Sequence, residues 1–223
     1  MATMTVTRHP PIRDQIASIL RAAIINLDFQ PGQLLVEREL CELTGASRPS
    51  VREALRQLEA EGLVESRNGR GTIVRVLSVD EVRHLYEVRA ELEGLASRLF
   101  SVRAQPADRR ALEAAMSDLR TATTDGGSAR ILAAQGAFYS ALFSGAGNPV
   151  LDHVVQGLQV RVAQFRALTL TVPGRAEESL REFESIVAAI ASGDGEAAHR
   201  SASAHVRAAG DVMASVAAAR DAR

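Results

Sequence analysis

Apolar residues in the first third of the chain recur at intervals of three and four, which is the spacing of one face of an amphipathic helix. This pattern predicts helices at 12–27, 36–43 and 48–61. The turn Gln30-Pro31-Gly32 ends the first helix, and Gly45 stands where a left-handed residue would end the second. Three short helices with tight connections are therefore expected at the start of the chain.

The third helix and the segment after it carry further local signals. Ser47 is a good N-cap, and Pro49 falls in the first turn, where its missing N–H is harmless. Two short strands are predicted at 63–66 and 72–75, since the segment Arg67-Asn68-Gly69-Arg70-Gly71 between them is typical of a hairpin turn. Three helices followed by a hairpin indicate a winged helix-turn-helix, whose third helix lies in the major groove of DNA.

From Ser78 onward only helical patterns remain. Short breakers divide them into six predicted helices, at about 78–102, 106–122, 128–144, 148–170, 174–192 and 194–218. The expected fold is mainly α, with a winged helix-turn-helix at 10–77 and an all-α six-helix bundle at 78–223. Residues 1–9 are small and polar, and we expect them to form a flexible leader.

Composition narrows the class of protein. The chain has 223 residues, of which 46% are hydrophobic and 24% charged, and this balance excludes a disordered or collagen-like protein. A single Cys allows no internal disulfide, and no apolar run reaches the roughly 18 residues of a membrane span, so we expect a cytoplasmic protein. The net charge is −1, and all 26 basic residues are Arg, so DNA binding requires a local basic patch.

Such a patch is predicted on the third helix. Its apolar face comprises Val51, Ala54, Leu55 and Leu58. Arg48, Arg52 and Arg56 recur every four residues on another face, from which they can reach phosphates and guanine edges. The alternative is a solvated Arg face balanced by Glu53, Glu59 and Glu61, but the basic hairpin that follows favours DNA binding.

Residues 12–75 resemble the DNA-binding domain of GntR-type bacterial transcription regulators. The segment PGQLLVERELCELTGASRPSVREALRQLEAEGLV and the wing RNGRGTIV carry the resemblance. It implies that Arg48 and Arg52 lie nearest the base edges, whereas phosphate contacts are expected for Arg38 and Arg56. The full set of expected DNA contacts is Arg38, Ser47, Arg48, Ser50, Arg52, Arg56, Asn68, Gly69 and Arg70.

The helical half resembles the FCD effector-binding domain of the FadR branch of that family, in its shorter, VanR-like form. The stretches LYEVRAELEGLA, QGAFYSALFSGAGNPVL and REFESIVAAIASGDGEAAHRSASAHV carry this resemblance. It implies a divalent metal held by one Asp and three His, but the matching positions here are Gln135, Tyr139, Phe183 and His205. Only one of these side chains is a competent ligand, so we expect no metal. A lone His on an apolar face is also more often a hydrogen-bonded core residue than a ligand.

Arg89 lies on an apolar helix face, where a charged group is rarely buried without a partner. Its partner can be Glu93, one turn later, or the carboxylate of an effector, which is also what the resemblance implies. Both can hold together. The expected effector site, for a small anionic metabolite, is Arg89, Gln135, Tyr139, Phe183 and His205.

A different class of protein has one signal in its favour. Glu81-x-x-His84 and Glu196-x-x-His199 are two Glu-x-x-His pairs on different helices, as in di-iron carboxylate enzymes. Both pairs fall in first helical turns, where Glu is common for dipole reasons. We therefore favour a dimeric, effector-controlled regulator, usually a repressor in this family, that is not an enzyme and binds a pseudo-palindromic operator.

Overall fold

The computed structural model describes residues 10–67 and 71–221 and divides into two compact units, Met1–Val76 and Leu77–Arg223. In its described residues, the first unit contains three helices and a small antiparallel sheet. Its elements are α1 (Ile12–Ile25), β1 (Leu34–Leu35), α2 (Glu37–Thr44), α3 (Arg48–Ala60), β2 (Val64–Arg67) and β3 (Gly71–Val74). The predicted winged helix-turn-helix is confirmed.

Two details of this unit differ from the sequence prediction. Leu34–Leu35 forms a third strand, β1, which pairs with β3 and gives the sheet order β1-β3-β2. Ser47 occupies the N-cap position of α3, but its hydroxyl contacts Ser50 Oγ at 3.0 Å and makes no capping hydrogen bond to the backbone. The α3 N-terminus is instead favoured by Pro49 in the first turn.

The tight turn before α3 depends on Gly45, which has φ +66°. Glycine adopts this left-handed conformation readily because it has no Cβ. Beyond the turn, α3 buries the predicted face of Val51, Ala54, Leu55 and Leu58. The opposite face of α3 is thereby left in solvent.

The second unit is all helical in the part of the chain that the structure describes. Its elements are α4 (Val79–Arg103), α5 (Pro106–Asp125), α6 (Ser128–Gly145), α7 (Pro149–Thr169), α8 (Arg175–Ala191) and α9 (Gly195–Asp221). The six predicted helices are confirmed to within a few residues. A capping box between Ser78 and Glu81 starts α4, and the Asn148 side chain caps α7.

Helices α4 and α9 pack closely along their lengths. A Cβ on Gly94 would lie 2.5 Å from Ser203 Oγ, so the missing side chain allows the two helices to approach. Ser203 is buried and donates to the Ala90 carbonyl at 2.8 Å. The aromatic core beside this pair contains Phe100, Phe138 and Phe183. No helix in the described ranges is long and apolar enough to span a membrane.

Candidate functional site

The exposed face of α3 carries the predicted row of Arg48, Arg52 and Arg56. All three side chains point away from the core, because the apolar face of the helix is buried on the other side. A row of guanidinium groups along one exposed helix can contact phosphates and base edges together.

Arg52 is held in place by an acidic residue of α2. Its Nε donates to both oxygens of Glu37, at 2.8 and 3.0 Å. The hydrogen bond from Arg52 lowers the pKa of the Glu37 carboxyl, and Glu37 in turn raises the pKa of Arg52. Because the carboxylate engages Nε, the two Nη groups are left for a bidentate contact with the edge of a guanine.

Arg56 and Arg38, which are predicted to contact phosphates, also have acidic partners on the surface. Arg56 pairs with Glu53 at 2.6 Å and Arg38 with Glu42 at 3.6 Å, and all four side chains are about half exposed or more. Such surface pairs are weak, so phosphate can compete for the guanidinium groups. The predicted wing residues Asn68, Gly69 and Arg70 lie outside the described residues.

The five predicted effector-site residues converge on one cavity in the second unit. Helices α4, α6, α7, α8 and α9 supply its walls, which are lined by Tyr86, Arg89, Gln135, Tyr139, Arg166, Thr169, Leu170, Arg175, Ser179, Phe183, His205 and Ala209. The cavity spans ≈ 350 Å³ including the part open to solvent. The space that its own side chains leave free has room for about one or two waters.

Arg89 is 3% exposed and forms the predicted ion pair with Glu93, which is 2% exposed. The Nε and Nη2 atoms of Arg89 lie 3.0 and 2.9 Å from Glu93 Oε1. The guanidinium also stacks over the Tyr86 ring at 4.5 Å. Its Nη1 is buried and has no hydrogen-bond partner in the protein, so Glu93 satisfies only part of this side chain.

Three further side chains fix the orientation of Tyr139. Its hydroxyl lies 3.1 Å from His205 Nε2, and His205 Nδ1 lies 2.6 Å from Glu182 Oε2. Arg175 donates to both oxygens of Glu182. An ionised Glu182 can only accept, so Nδ1 carries the proton and, in the neutral ring, Nε2 accepts from Tyr139.

This chain of hydrogen bonds changes the role expected for His205. Both of its ring nitrogens have protein partners, so it positions Tyr139 rather than offering a free atom to the cavity. Burial opposes ionisation of Glu182, but the hydrogen bonds from His205 and Arg175 outweigh burial and lower its pKa. Burial likewise raises the pKa of the Tyr139 hydroxyl, with the nearby Glu93 acting in the same direction.

Sequence reasoning missed Arg166, which lies on α7 and stacks over the Tyr139 ring at 4.1 Å. Its Nη2 is buried without a hydrogen-bond partner, and burial lowers its pKa. Arg166 follows the buried Val162 by four residues and therefore lies on the same apolar helix face. A charged residue on such a face was the signal that identified Arg89, and it could have identified Arg166 as well. Tyr86 and Arg175 were also missed.

The residues that correspond to the metal ligands of the family do not fit a metal ion. Phe183 has no donor atom, both nitrogens of His205 are engaged, and Gln135 offers only an amide. Among the described residues, no group of three or more His, Cys, Asp and Glu side chains could hold a metal.

The two Glu-x-x-His pairs also have other partners. Glu81 belongs to the capping box of α4, and His84 is exposed. Glu196 pairs with Arg98 at 3.1 Å, while His199 lies 3.8 Å from Glu91. The di-iron arrangement is therefore not formed by these side chains.

The geometry of both units agrees with what is known of similar proteins. The family described as "Bacterial regulatory proteins, gntR family" matches residues 12–74, and the FCD domain matches residues 84–208. The uncharacterized HTH-type transcriptional regulator YdhC of Bacillus subtilis is 29% identical over 206 residues, covering 92% of each chain. A probable D-xylose utilization operon transcriptional repressor of Paenarthrobacter nicotinovorans is 30% identical over 214 residues, also covering 92% of each.

Solved structures show the same architecture. A putative GntR transcriptional regulator from Rhodococcus sp. RHA1 is 25% identical with a TM-score of 0.76, covering 90% of this chain and 96% of that one. McbR/YncC of E. coli has a TM-score of 0.78 at 21% identity, covering 92% and 98%, which shows a shared fold. These relatives and neighbours are regulators rather than enzymes.

Proposed function

The chain is a DNA-binding transcription regulator of the GntR family with an FCD domain, and from this premise we propose that it is an effector-controlled repressor. In this proposal it acts in the bacterial cytoplasm as a dimer on a pseudo-palindromic operator. A small anionic metabolite bound in the helical unit changes the spacing or freedom of the two DNA-binding units. The relative that is named a probable repressor supports the sign of the response.

The observation that carries the operator assignment is the exposed arginine row of α3. In this proposal the two Nη groups of Arg52, whose Nε pairs with Glu37, bind a base edge, as Arg commonly binds guanine. Arg56 pairs with the half-exposed Glu53 and is suited to a phosphate.

Two alanine variants test this division of roles. Arg52→Ala should lose about 1–3 kcal/mol of operator affinity and relax sequence preference. Arg56→Ala should weaken operator and scrambled duplexes alike, and should reduce the salt dependence of binding. Titrations of both duplexes at several salt concentrations provide the measurement. Unchanged operator affinity in Arg52→Ala would contradict the base-reading role.

The effector assignment is supported by the cavity in the helical unit. Three arginines line it, and none of the described lining residues is acidic. A thermal-shift screen of small organic anions, followed by operator release assays, tests it, because a ligand that binds the folded state raises the melting temperature. If no anion both stabilises the protein and changes operator affinity, the effector-controlled part of the proposal is wrong.

A further inference from the structure

Two sets of contacts join α3 to β2, the first strand of the hairpin. At the end of the helix, the Gly62 N–H donates to the Glu59 carbonyl at 2.9 Å, and the Leu63 N–H donates to the Leu58 carbonyl at 3.0 Å. Gly62 has φ +77°, and this pair of bonds around a left-handed residue is the Schellman motif. The motif sets the direction in which the chain leaves α3.

The second contact is made by a side chain. The Glu59 carboxylate on α3 accepts the Ser66 backbone N–H of β2 at 2.9 Å, seven residues further along the chain. β2 lies at the edge of the described sheet, and Leu63, just before it, accepts from the Arg75 N–H at 2.9 Å. Because alternate residues of an antiparallel strand face opposite sides, residue 66 directs its N–H away from β3. Glu59 thus ties the free edge of the hairpin to α3.

This tie lies beside the predicted DNA contacts. Arg52, Arg56 and Glu59 follow each other at spacings of four and three, so they share one helix face. They line a groove whose lining also includes Ser66 and Thr72 of the hairpin. When α3 lies in the major groove of DNA, the hairpin beside it faces the neighbouring minor groove across one DNA strand. The angle between α3 and the hairpin therefore decides whether both can contact DNA at once.

We propose that Glu59 is a positioning residue for DNA binding, which holds the hairpin at the angle to α3 that lets it contact this minor groove. A hairpin that is fixed before binding loses less conformational entropy when it contacts DNA. The hydrogen bond is responsible rather than the charge, because a carboxylate close to DNA phosphates by itself opposes binding. This inference rests on the operator binding of the proposed function and is independent of the effector.

Two variants of equal charge separate the hydrogen bond from the charge. Glu59→Gln and Glu59→Ala both remove the carboxylate, but the amide oxygen of Gln can still accept the Ser66 N–H. The probe is a duplex that the wild type selects from a random-sequence pool. Its affinity should be about fivefold lower for Glu59→Ala than for Glu59→Gln, which corresponds to one ordinary hydrogen bond. Ala is the better helix former, so a weakened α3 does not explain such a loss.

Two further measurements on the full chain locate the effect. Hydrogen exchange of the Ser66 amide, followed by NMR, should be slow in the wild type and Glu59→Gln and faster in Glu59→Ala. On saturated DNA, Glu59→Ala should lose hydroxyl-radical protection of the flanking minor groove. Protection of guanine N7 from dimethyl sulfate, which reports the major groove, should persist. General damage to the unit would remove both kinds of protection.

Glu42 provides the matched control. It is an exposed acid on α2 that pairs with Arg38. Glu42→Gln and Glu42→Ala should bind the selected duplex with equal affinity, because the difference between the Gln and Ala variants of Glu59 arises from the bond to Ser66.

Each of three results would overturn the proposal. They are equal DNA affinity of Glu59→Gln and Glu59→Ala, unchanged exchange of the Ser66 amide in Glu59→Ala, and joint loss of major-groove and minor-groove protection. If Arg52→Ala relaxes sequence preference while the two Glu59 variants bind alike, this inference fails and the proposed function stands. If the wild type selects no sequence from the pool, both fail.

Discussion

At the scale of single residues, Arg89 has a structural role beside its proposed binding role. Glu93 takes two of its donor atoms, and the third, Nη1, is buried at the cavity without a protein partner. Arg89→Met should therefore destabilise the fold by about 3–5 kcal/mol, because it leaves Glu93 buried without a partner.

The double variant Arg89→Met/Glu93→Leu should regain most of that loss, since replacing both partners of a buried pair is often nearly neutral. Urea unfolding of the wild type, the single variant and the double variant measures these differences in unfolding free energy. If Arg89→Met alone has the unfolding free energy of the wild type, the ion pair with Glu93 does not stabilise the fold.

Glu37 is expected to affect DNA binding indirectly, through the position of Arg52. Glu37→Ala should free the Arg52 guanidinium and lower the ratio of operator to scrambled-DNA affinity by about tenfold, or about 1.4 kcal/mol. Binding to scrambled DNA should not weaken, because a negative charge near the phosphates is removed.

Glu42→Ala is a matched control for Glu37→Ala. It removes one exposed carboxylate from the same helix, one that pairs with Arg38 rather than Arg52. Competition binding with both duplexes is the measurement. An equal fall in the affinity ratio for the two variants would show that charge alone, and not positioning, is responsible.

At the scale of elements, the helices could be predicted within a few residues because their period, caps and breakers are local. The two-residue strand Leu34–Leu35 could not, because a pair of residues carries no period and its pairing with β3 depends on residues far along the chain. Arg166 could have been predicted, because it is a charged residue on an apolar helix face. The Glu182 carboxylate has no such sequence signal. Arg175 lies two turns before Glu182 on the same helix, whereas His205 becomes its neighbour only through the packing of α8 against α9.

The packing of α4 against α9 gives an element-scale prediction. Gly94→Ala should cost about 1–3 kcal/mol, since the new methyl group would overlap Ser203 and His199. Gly136→Ala is the control, because a Cβ there has nothing within 4 Å, and it should stabilise α6 by about 0.5–1 kcal/mol. Thermal melts of both variants are the measurement. A destabilised Gly136→Ala would show that the space beside Gly136 is not open.

At the scale of the whole molecule, acid stability should depend on Glu182. Its folded-state pKa is lowered, so its contribution to stability is present above the unfolded value and is lost as pH falls through the folded pKa. Glu182→Gln should cost about 1–3 kcal/mol at pH 7 and much less at pH 3.

Urea unfolding of the wild type and Glu182→Gln across this pH range provides the measurement. Glu184→Gln is the matched control, because it lies on the same helix as Glu182 and removes an exposed pair with Arg120 of α5. A constant difference between Glu182→Gln and the wild type at all pH values would contradict the assigned linkage.

The small cavity among α4, α6, α7, α8 and α9 also has a mechanical consequence. Internal voids disappear when a protein unfolds, so unfolding reduces the total volume of protein and solvent and is promoted by hydrostatic pressure. A bound effector that fills the space removes part of this volume difference. The unfolding free energy of the helical unit should then fall less steeply with pressure when effector is present. The slope of unfolding free energy against pressure reports whether the cavity is filled, whereas the pressure at which half of the protein is unfolded also depends on the affinity for the effector.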